Sequence, residues 1–375
     1  MLCDKVNCQA RLIWGGSLEF KERRKSRQIV LGGVAIGGLA PVSVQSMTNT
    51  DTRDIAATAA QIKRLEKVGC ELVRVAVPDE AAAFSLAAIK EQISIPLLAD
   101  IHFNHRLALI AVEQGVDGLR LNPGNIGSAA RVREVVAACK DRAVPIRIGV
   151  NGGSLEKDLL IKYGPTPEAL VESALGHVRL LEKENFTQIK ISLKSSDVPA
   201  TLAAYRELAT RVDYPFHIGI TEAGTKLRGA IKSAAGIALL LADGLGDTLR
   251  VSLTAPPEDE IFVAFEILKS LGLRKRGIEL ISCPTCGRTE IALIELAERV
   301  EEALAHIDKP LKIAVMGCVV NGPGEARHAD FGIAGGKGTG LIFRKGEILK
   351  KLPESELLSA LVAEVENYVA DTVAS

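Results

Sequence analysis

The chain carries no excess charge and no long apolar run, and each absence excludes a class of protein. It has 46 Lys and Arg against 46 Asp and Glu, a net charge of zero, which argues against a general binder of nucleic acids or anionic membranes. Its longest apolar stretch, residues 237–242, falls far short of the roughly 18 residues that a membrane-spanning helix needs. The N-terminal residues lack the apolar core of a signal peptide. We therefore predict a cytoplasmic protein.

Aromatic residues and cysteines are also scarce. Aromatics make up 4% of the 375 residues, whereas glycine occurs 34 times, a balance that suits α/β proteins with many tight turns. An odd set of seven cysteines in a chain of this length does not indicate a disulfide scaffold. We expect reduced thiols or metal ligands, with Cys70 and Cys139 as buried packing residues.

From about residue 42, a β-rich run followed by a helical run repeats eight times. The expected strands cover residues 42–48, 71–77, 95–102, 117–122, 145–151, 188–194, 215–221 and 247–253. The expected helices cover residues 54–68, 78–92, 104–115, 128–142, 166–184, 198–211, 225–242 and 258–271. Eight units of similar length predict an α/β fold, a closed (β/α)8 TIM-type barrel. An open doubly wound sheet is the alternative, but no dinucleotide-binding glycine fingerprint follows the first strand.

Several helix ends carry residues that suit those positions. Asp54 and Ser128 are expected N-caps, and Pro167 suits a first helical turn. Glycines follow three of the helices, where a left-handed residue is favoured: Gly69, Gly115 and Gly272.

Polar residues recur at alternate positions of the expected strands, so they share the inward face of the barrel. Six of them are cations: Arg74, Arg120, Arg147, Lys190, Lys194 and Arg250. Asp100 is the one clear anion of the set. Burying unpaired charge costs several kcal/mol per ion, so an anionic ligand is expected, and the planar guanidinium suits phosphate oxygens. Internal pairing with Asp100, Glu222 and backbone carbonyls is the alternative, and Asp100 and His102 either orient the arginines or form core hydrogen bonds.

Glycine-rich turns follow the fourth and the seventh strand. Residues 122–127 (Asn-Pro-Gly-Asn-Ile-Gly) and 222–225 (Glu-Ala-Gly-Thr) each lead into a helix N-terminus, which is a natural anion site. Such turns are common in barrels, so they only add to the phosphate interpretation.

The composition changes after Gly272. A basic linker, residues 273–277, leads to a strand at 278–282 and then to Cys283-Pro-Thr-Cys286. The further elements expected are a helix at 290–305, strands at 312–316, 330–334 and 340–344, and a helix at 354–370. We therefore expect three parts: an N-terminal extension (1–27), the barrel (28–272) and a smaller α+β domain (278–375).

Three thiols come from two similar loops of this smaller domain. Cys283 and Cys286 follow one strand, and Cys318 follows the next within a Gly-rich turn. Three cysteines suit a [4Fe–4S] cluster with one iron open to another ligand. Zinc, completed by His306 or His328, and redox or ordinary thiols are the alternatives that the spacing leaves open.

Six motifs resemble those of the bacterial 4-hydroxy-3-methylbut-2-enyl diphosphate synthases. They are 44–49 (VQSMTN), 119–127 (LRLNPGNIG), 147–151 (RIGVN), 217–224 (HIGITEAG), 282–290 (SCPTCGRTE) and 315–326 (VMGCVVNGPGEA). The resemblance covers about residues 23–345, and no large domain separates the barrel from the cysteine-bearing domain. The chain is therefore similar to the two-domain bacterial form of that family.

The resemblance implies the reductive ring opening and dehydroxylation of 2-C-methyl-D-erythritol 2,4-cyclodiphosphate in non-mevalonate isoprenoid biosynthesis. It implies a [4Fe–4S] cluster on Cys283, Cys286 and Cys318, with Glu325 as the fourth ligand or its neighbour. Because Glu325 follows Cys318 by seven residues, we predict that it is catalytic and supplies a proton or occupies the iron when the site is empty. A solvated loop carboxylate is the alternative. It also implies a head-to-tail homodimer whose site is shared between subunits, and flavodoxin or ferredoxin as electron donor.

The negative charge of the cyclic diphosphate would neutralise the inward cations. Arg120 and Arg147 are the first candidates for its oxygens, and the other candidate substrate-binding residues are Arg74, Asn151, Lys194, His217 and Arg250. Two other functions share these features: a pterin-type barrel transferase with a structural zinc domain, and a diphosphate-binding regulator with an iron–sulfur sensor.

Overall fold

The computed structural model describes residues 20–318 and 328–373. The chain divides into two compact units, Met1–Arg274 and Lys275–Ser375. No helix in the described part of the chain is long and apolar enough to cross a membrane.

Eight parallel strands form the centre of the first unit. They are β3 (Ser43–Met47), β4 (Leu72–Ala76), β5 (Leu97–Asp100), β6 (Gly118–Arg120), β7 (Ile146–Asn151), β8 (Ile189–Lys194), β9 (His217–Ile218) and β10 (Thr248–Leu249). They follow the order β8-β7-β6-β5-β4-β3-β10-β9. A parallel bridge between Ile191 and Phe216 joins the two ends of this order. The predicted eight-stranded barrel is thereby confirmed.

Ten α-helices lie among residues 20–274 of the same unit. They are α1 (Ile55–Lys67), α2 (Glu80–Phe84), α3 (Leu86–Lys90), α4 (His105–Glu113), α5 (Ala129–Asp141), α6 (Lys157–Tyr163), α7 (Pro167–Lys183), α8 (Val198–Ala209), α9 (Lys226–Ala242) and α10 (Pro257–Ser270). The single helix predicted at 78–92 is wrong, because it divides at Ser85, whose hydroxyl donates a hydrogen bond to the Ala81 carbonyl. Helix α6 was not predicted.

Most of the predicted helix ends are confirmed. The Asp54 side chain accepts a hydrogen bond from the Ala57 amide at 2.9 Å, and Pro167 begins α7. Ser128 occupies the predicted N-cap position of α5, although its side chain makes no capping hydrogen bond. The three glycines that follow helices all have positive φ: Gly69 (90°), Gly115 (81°) and Gly272 (68°).

An antiparallel hairpin that the sequence did not predict precedes the barrel. It consists of β1 (Ile29–Leu31) and β2 (Val34–Ile36). Its apolar side chains pack against Leu72 and Leu98 of the barrel interior. Gly118 permits this packing, since a Cβ there would lie 2.5 Å from Cδ2 of Leu31. Because the hairpin packs where β4, β5 and β6 begin, the opposite, carboxyl end of the strands is left for a ligand.

The described part of the predicted N-terminal extension also contacts the barrel. Arg23 lies 2.9 Å from the buried carboxylate of Asp247, which immediately precedes β10. The guanidinium of Arg24 lies 4.0 Å from the ring centroid of Phe216. Residues 20–27 therefore belong with the amino ends of these strands.

The described residues of the second unit form a five-stranded sheet with two α-helices. Its elements are β11 (Ile278–Ser282), α11 (Leu293–Leu304), β12 (Leu311–Met316), β13 (Phe331–Gly336), β14 (Thr339–Arg344), β15 (Glu347–Pro353) and α12 (Leu357–Val373). The strands follow in sequence order, parallel from β11 to β13 and antiparallel from β13 to β15. A separate apolar core lies between the sheet and the helices. Strand β15 was not predicted, because its side chains are almost all exposed and carry no alternating apolar pattern.

Candidate active site

Charged side chains from neighbouring strands converge inside the barrel. In the strand register, Asp100 lies opposite Arg120, Arg120 opposite Arg147, and Arg147 opposite Lys190. All four side chains are buried. The prediction that these positions face inward is confirmed.

Asp100 pairs with two of the arginines. Its carboxylate lies 3.5 Å from Nε of Arg74 and accepts a hydrogen bond from Nη1 of Arg120 at 3.1 Å. Burial alone would raise the pKa of Asp100, but Arg74 and Arg120 outweigh it and lower that pKa. Arg120 also donates to the carbonyl of Gly149 at 2.6 Å. Internal pairing, the alternative to an anionic ligand, therefore accounts for part of the cation set.

Arg250 has a carboxylate partner that the sequence did not reveal. Its Nε and Nη2 donate to the carboxylate of Glu260 at 3.1 and 3.2 Å. Glu260 lies in the first turn of α10 and is 3% exposed, and it also accepts from the hydroxyl of Ser46. The predicted internal partner was Glu222, whereas the carboxylate that pairs with Arg250 comes from helix α10, where strand alternation gives no signal.

Other buried donors have no acceptor among the described residues. Nε of Arg147, Nζ of Lys190 and Nε2 of His217 are buried without a hydrogen-bond partner. Arg147 does donate through Nη1 to Ser192 at 2.7 Å, and Nδ1 of His217 lies 2.7 Å from Oγ1 of Thr248. Burial, reinforced by neighbouring cations, lowers the pKa of Arg147 and of Lys190 well below the usual values. The interior therefore holds more positive donors than its own anions satisfy.

Two cavities open at the carboxyl ends of the strands. The first, of about 500 Å³, is lined by His102, Phe103, Arg120, Asn122, Asn125, Asn151, Leu155, Glu156 and Lys157. The second, of about 490 Å³, includes Asn151, Lys194, Thr221 and Glu222 in its lining. Burial lowers the pKa of Lys194, which is 6% exposed. Asn151 lines both cavities, so they adjoin.

The structure brings the seven predicted substrate-binding residues to one barrel interior, at two depths. Arg120, Asn151 and Lys194 line the cavities. The other four lie within the barrel without lining either cavity: Arg74, Arg147, His217 and Arg250.

Some cavity residues were missing from the predicted set. Asn122 exchanges two hydrogen bonds with the backbone of Gly149, at 2.8 and 3.1 Å, and it lines the first cavity with Asn125. Both lie in the turn 122–127, and Asn122 is also the inward position that follows Arg120 on the predicted strand 117–122. The signal for Asn125 is its amide side chain in the same turn.

The cysteine loops meet at Gly317 in the second unit. Strands β11 and β12 pair in parallel, with Ser282 opposite Val315, so the loops after them start side by side. The amide of Gly317 donates to Sγ of Cys283 at 3.2 Å. A Cβ on Gly317 would lie 3.0 Å from Cγ2 of Thr289, so the turn after Cys286 packs closely against it.

These loops fit a thiolate-bound cluster in chemistry. Cys286 is exposed, and hydrogen bonds from Arg288 lower its pKa, while Cys318 is buried. Backbone amides that donate to sulfur stabilise iron–sulfur clusters. Within residues 20–318 and 328–373, no three His, Cys, Asp or Glu side chains are grouped to hold a metal ion. Glu325 lies outside the described residues.

Two further cysteines and one histidine of the described residues lie outside these loops. Cys70 and Cys139 are buried at 3% and 0% exposure, which confirms the packing role. His306, considered for a zinc site, lies 3.4 Å from Glu366 of α12.

The fold and the site together define the class: a (β/α)8-barrel protein with a cation-rich ligand site at the carboxyl ends of its strands, followed by a cysteine-bearing α+β domain. The GcpE TIM-barrel domain matches residues 26–265, and the GcpE protein C-terminal domain matches residues 279–367. The chain belongs to the GcpE family.

Curated relatives match almost end to end. A protein of Geobacter sulfurreducens is 66% identical over 93% of this chain and 99% of its own length. Proteins of Maridesulfovibrio salexigens and Thermodesulfovibrio yellowstonii are 61% and 59% identical, over 93% and 92% of this chain and 98% and 99% of their own lengths. All three are named 4-hydroxy-3-methylbut-2-en-1-yl diphosphate synthase (flavodoxin). The resemblance found in the motifs is thereby confirmed.

Proposed function

We propose that this chain converts 2-C-methyl-D-erythritol 2,4-cyclodiphosphate to 4-hydroxy-3-methylbut-2-enyl diphosphate in non-mevalonate isoprenoid biosynthesis. The observation that carries the proposal is the buried group of unsatisfied cationic donors at the barrel interior, in a chain 66% identical to a synthase of that name. A diphosphate supplies the negative charge that this interior lacks.

The reaction breaks the bond from C2 to the phosphate oxygen and the bond from C3 to its hydroxyl oxygen, and it forms a double bond between C2 and C3. It takes up two electrons and a proton, and the hydroxyl leaves as water. A [4Fe–4S] cluster supplies electrons singly, and an open iron is a Lewis acid for an oxygen. The barrel residues bind and orient the diphosphate, which holds the reacting carbons in place.

We assign the diphosphate first to Arg120 and Arg147. Arg120 lines the first cavity and keeps its guanidinium fixed through Asp100 and Gly149. Arg147 has a buried Nε with no partner among the described residues. We assign the remaining oxygens to Lys194 and Asn151, which lie opposite each other in the register. Arg74 and Arg250 add positive charge at greater depth. Burial lowers the pKa of His217 well below its usual value, so His217 contributes a neutral, hydrogen-bonding imidazole.

We assign the cluster to Cys283, Cys286 and Cys318. The support is the meeting of their two loops at Gly317 and the amide that donates to Cys283. Glu325 is seven residues beyond Cys318 in the sequence, and we propose that it serves as the fourth ligand or its neighbour and supplies the proton.

Three further assignments concern partners and compartment. The relatives' names give flavodoxin as the electron donor, and we propose the same for this chain. We also propose a head-to-tail homodimer, which is supported by exposed apolar side chains on α9 and α10: Leu227, Ile231 and Phe262. Five free cysteines in the described chain support a reducing compartment, the cytoplasm.

The test is anaerobic purification followed by an iron and sulfide count and a turnover assay with a strong reductant. We expect about four iron and four sulfide per chain and formation of the linear diphosphate. A colourless, zinc-loaded protein would contradict the cluster and favour the transferase alternative. A cluster-bearing protein that binds the cyclodiphosphate without turnover would favour the sensor alternative.

A further inference from the structure

A buried histidine on α7 joins the two loops that line the first cavity. His177 is 3% exposed. Its Nδ1 accepts a hydrogen bond from the amide of Gly124 at 3.1 Å, and its Nε2 lies 3.1 Å from Oε1 of Glu156. Gly124 belongs to the loop after β6, and Glu156 to the loop after β7. One imidazole therefore contacts both loops at once.

The hydrogen bonds fix the tautomer of the ring. Because Nδ1 accepts from a backbone amide, the proton of the neutral imidazole is on Nε2, which donates to Glu156. This bond lowers the pKa of Glu156 to about 2, so the carboxylate is charged at neutral pH. A charged acceptor strengthens the hydrogen bond.

The approach of the first loop to the ring depends on a glycine. A Cβ on residue 124 would lie 2.8 Å from Cε1 of His177, a distance that real side chains do not adopt. Gly124 lies in the same turn as Asn122 and Asn125, both of which line the cavity. The ring thus sets the depth at which these amides sit.

The second loop brings binding groups of its own. It runs from Asn151 to Glu156, and Asn151, Leu155 and Glu156 all line the same cavity. His177 itself does not line it. Any effect of the histidine on the ligand therefore passes through the two loops.

We infer that His177 and Glu156 are positioning residues, which hold the loops after β6 and β7 at the separation that the substrate's polar groups require. The inference rests on the proposed function, since the ligand is the cyclodiphosphate. The amides of Asn122, Asn125 and Asn151 carry no reducing or proton-transfer role, so loosening the loops weakens binding more than turnover.

The experiment compares wild type with His177→Asn and Glu156→Gln. Asparagine keeps an acceptor for the Gly124 amide but does not reach Glu156, and glutamine keeps the shape of Glu156 without its charge. We expect each variant to raise KM and the directly measured Kd for the cyclodiphosphate about tenfold, with kcat within about twofold. The double variant is expected to match the single ones, because both break the same link.

A matched control lies at the other end of the same helix. Glu182 accepts a hydrogen bond from the hydroxyl of Tyr214 at 2.8 Å, and Glu182→Gln removes that charged acceptor far from the cavity residues. We expect its KM and Kd to equal those of wild type.

Two outcomes would overturn the inference. One is unchanged KM and Kd in both variants while wild type turns over the substrate. The other is a lowered melting temperature as the only change, which a purely structural pair would give. If His177→Asn fails to fold, Glu156→Gln still decides, because that side chain is partly exposed at the cavity edge. Lack of turnover or binding in wild type would instead reject the proposed function.

Discussion

Nη1 of Arg120 lies 3.1 Å from Oδ1 of Asp100, and the two residues face each other on neighbouring parallel strands. The pair is buried, yet its carboxylate also serves Arg74. One anion shared by two cations leaves net positive charge inside the barrel. Asp100 therefore orients the guanidinium of Arg120 without cancelling its attraction for a phosphate.

Removal of the Asp100 charge is expected to destabilise the barrel. We expect Asp100→Asn to lower the free energy of unfolding by about 3 kcal/mol, because a buried cation that loses its partner is left uncompensated. Chemical denaturation measures the change. Asp213→Asn is the control, since Asp213 pairs with Arg27 where both side chains are about half exposed and such pairs contribute little. A loss no larger than the control's would contradict the role given to Asp100.

The link between His177 and Glu156 predicts a pH dependence of stability. The pKa of Glu156 is lowered from 4.5 to about 2, so the folded state prefers its ionised form. Its stabilising contribution is full above about pH 5 and is lost as the pH falls toward 2. The difference in unfolding free energy between wild type and Glu156→Gln should therefore shrink below about pH 4.5. Urea denaturation from neutral to acidic pH measures it, and a difference that grows on acidification would refute the assignment.

Cys318 provides the test of the cluster assignment. Cys318→Ser is expected to lose the brown colour, the bound iron and the activity, because one of three proposed thiolate ligands is gone. The barrel has its own apolar core, so its far-ultraviolet circular dichroism should remain. Cys139→Ala, within helix α5 of the barrel, is expected to keep the colour. An unchanged iron content in Cys318→Ser would exclude this thiolate as a ligand.

The barrel could be predicted because its information is local. Each strand is a short apolar run with a polar residue at alternate positions, so Arg74, Asp100 and Arg147 could be placed inside from neighbouring residues alone. Glycines that follow helices predicted the C-terminal ends of those helices. The same reasoning placed Cys283 and Cys318 directly after strands.

The site residues that the sequence did not predict depend on packing between elements that are distant in the chain. Glu260 contacts Arg250 because of the way α10 packs on the barrel, and the sequence pattern of the strands does not predict that packing. His177 meets Gly124 and Glu156 across 53 and 21 residues of sequence. In the sequence of α7, a histidine at an inward position cannot be distinguished from other core residues. Its hydrogen-bond partners can therefore be identified only from the folded structure.

Gly149 tests whether the position of Arg120 controls ligand binding. A Cβ on this residue would lie 2.3 Å from Nε of Arg120, and the flexible guanidinium side chain, rather than the strand, would move. Gly149→Ala is therefore expected to fold, yet to raise the KM for the cyclodiphosphate about tenfold, as the loss of a charge-assisted hydrogen bond does. Gly176→Ala in α7 is the matched control, because nothing lies within 4 Å of the added methyl and alanine favours a helix. Steady-state kinetics of both variants decide the matter: equal KM values would show that the diphosphate does not depend on Arg120.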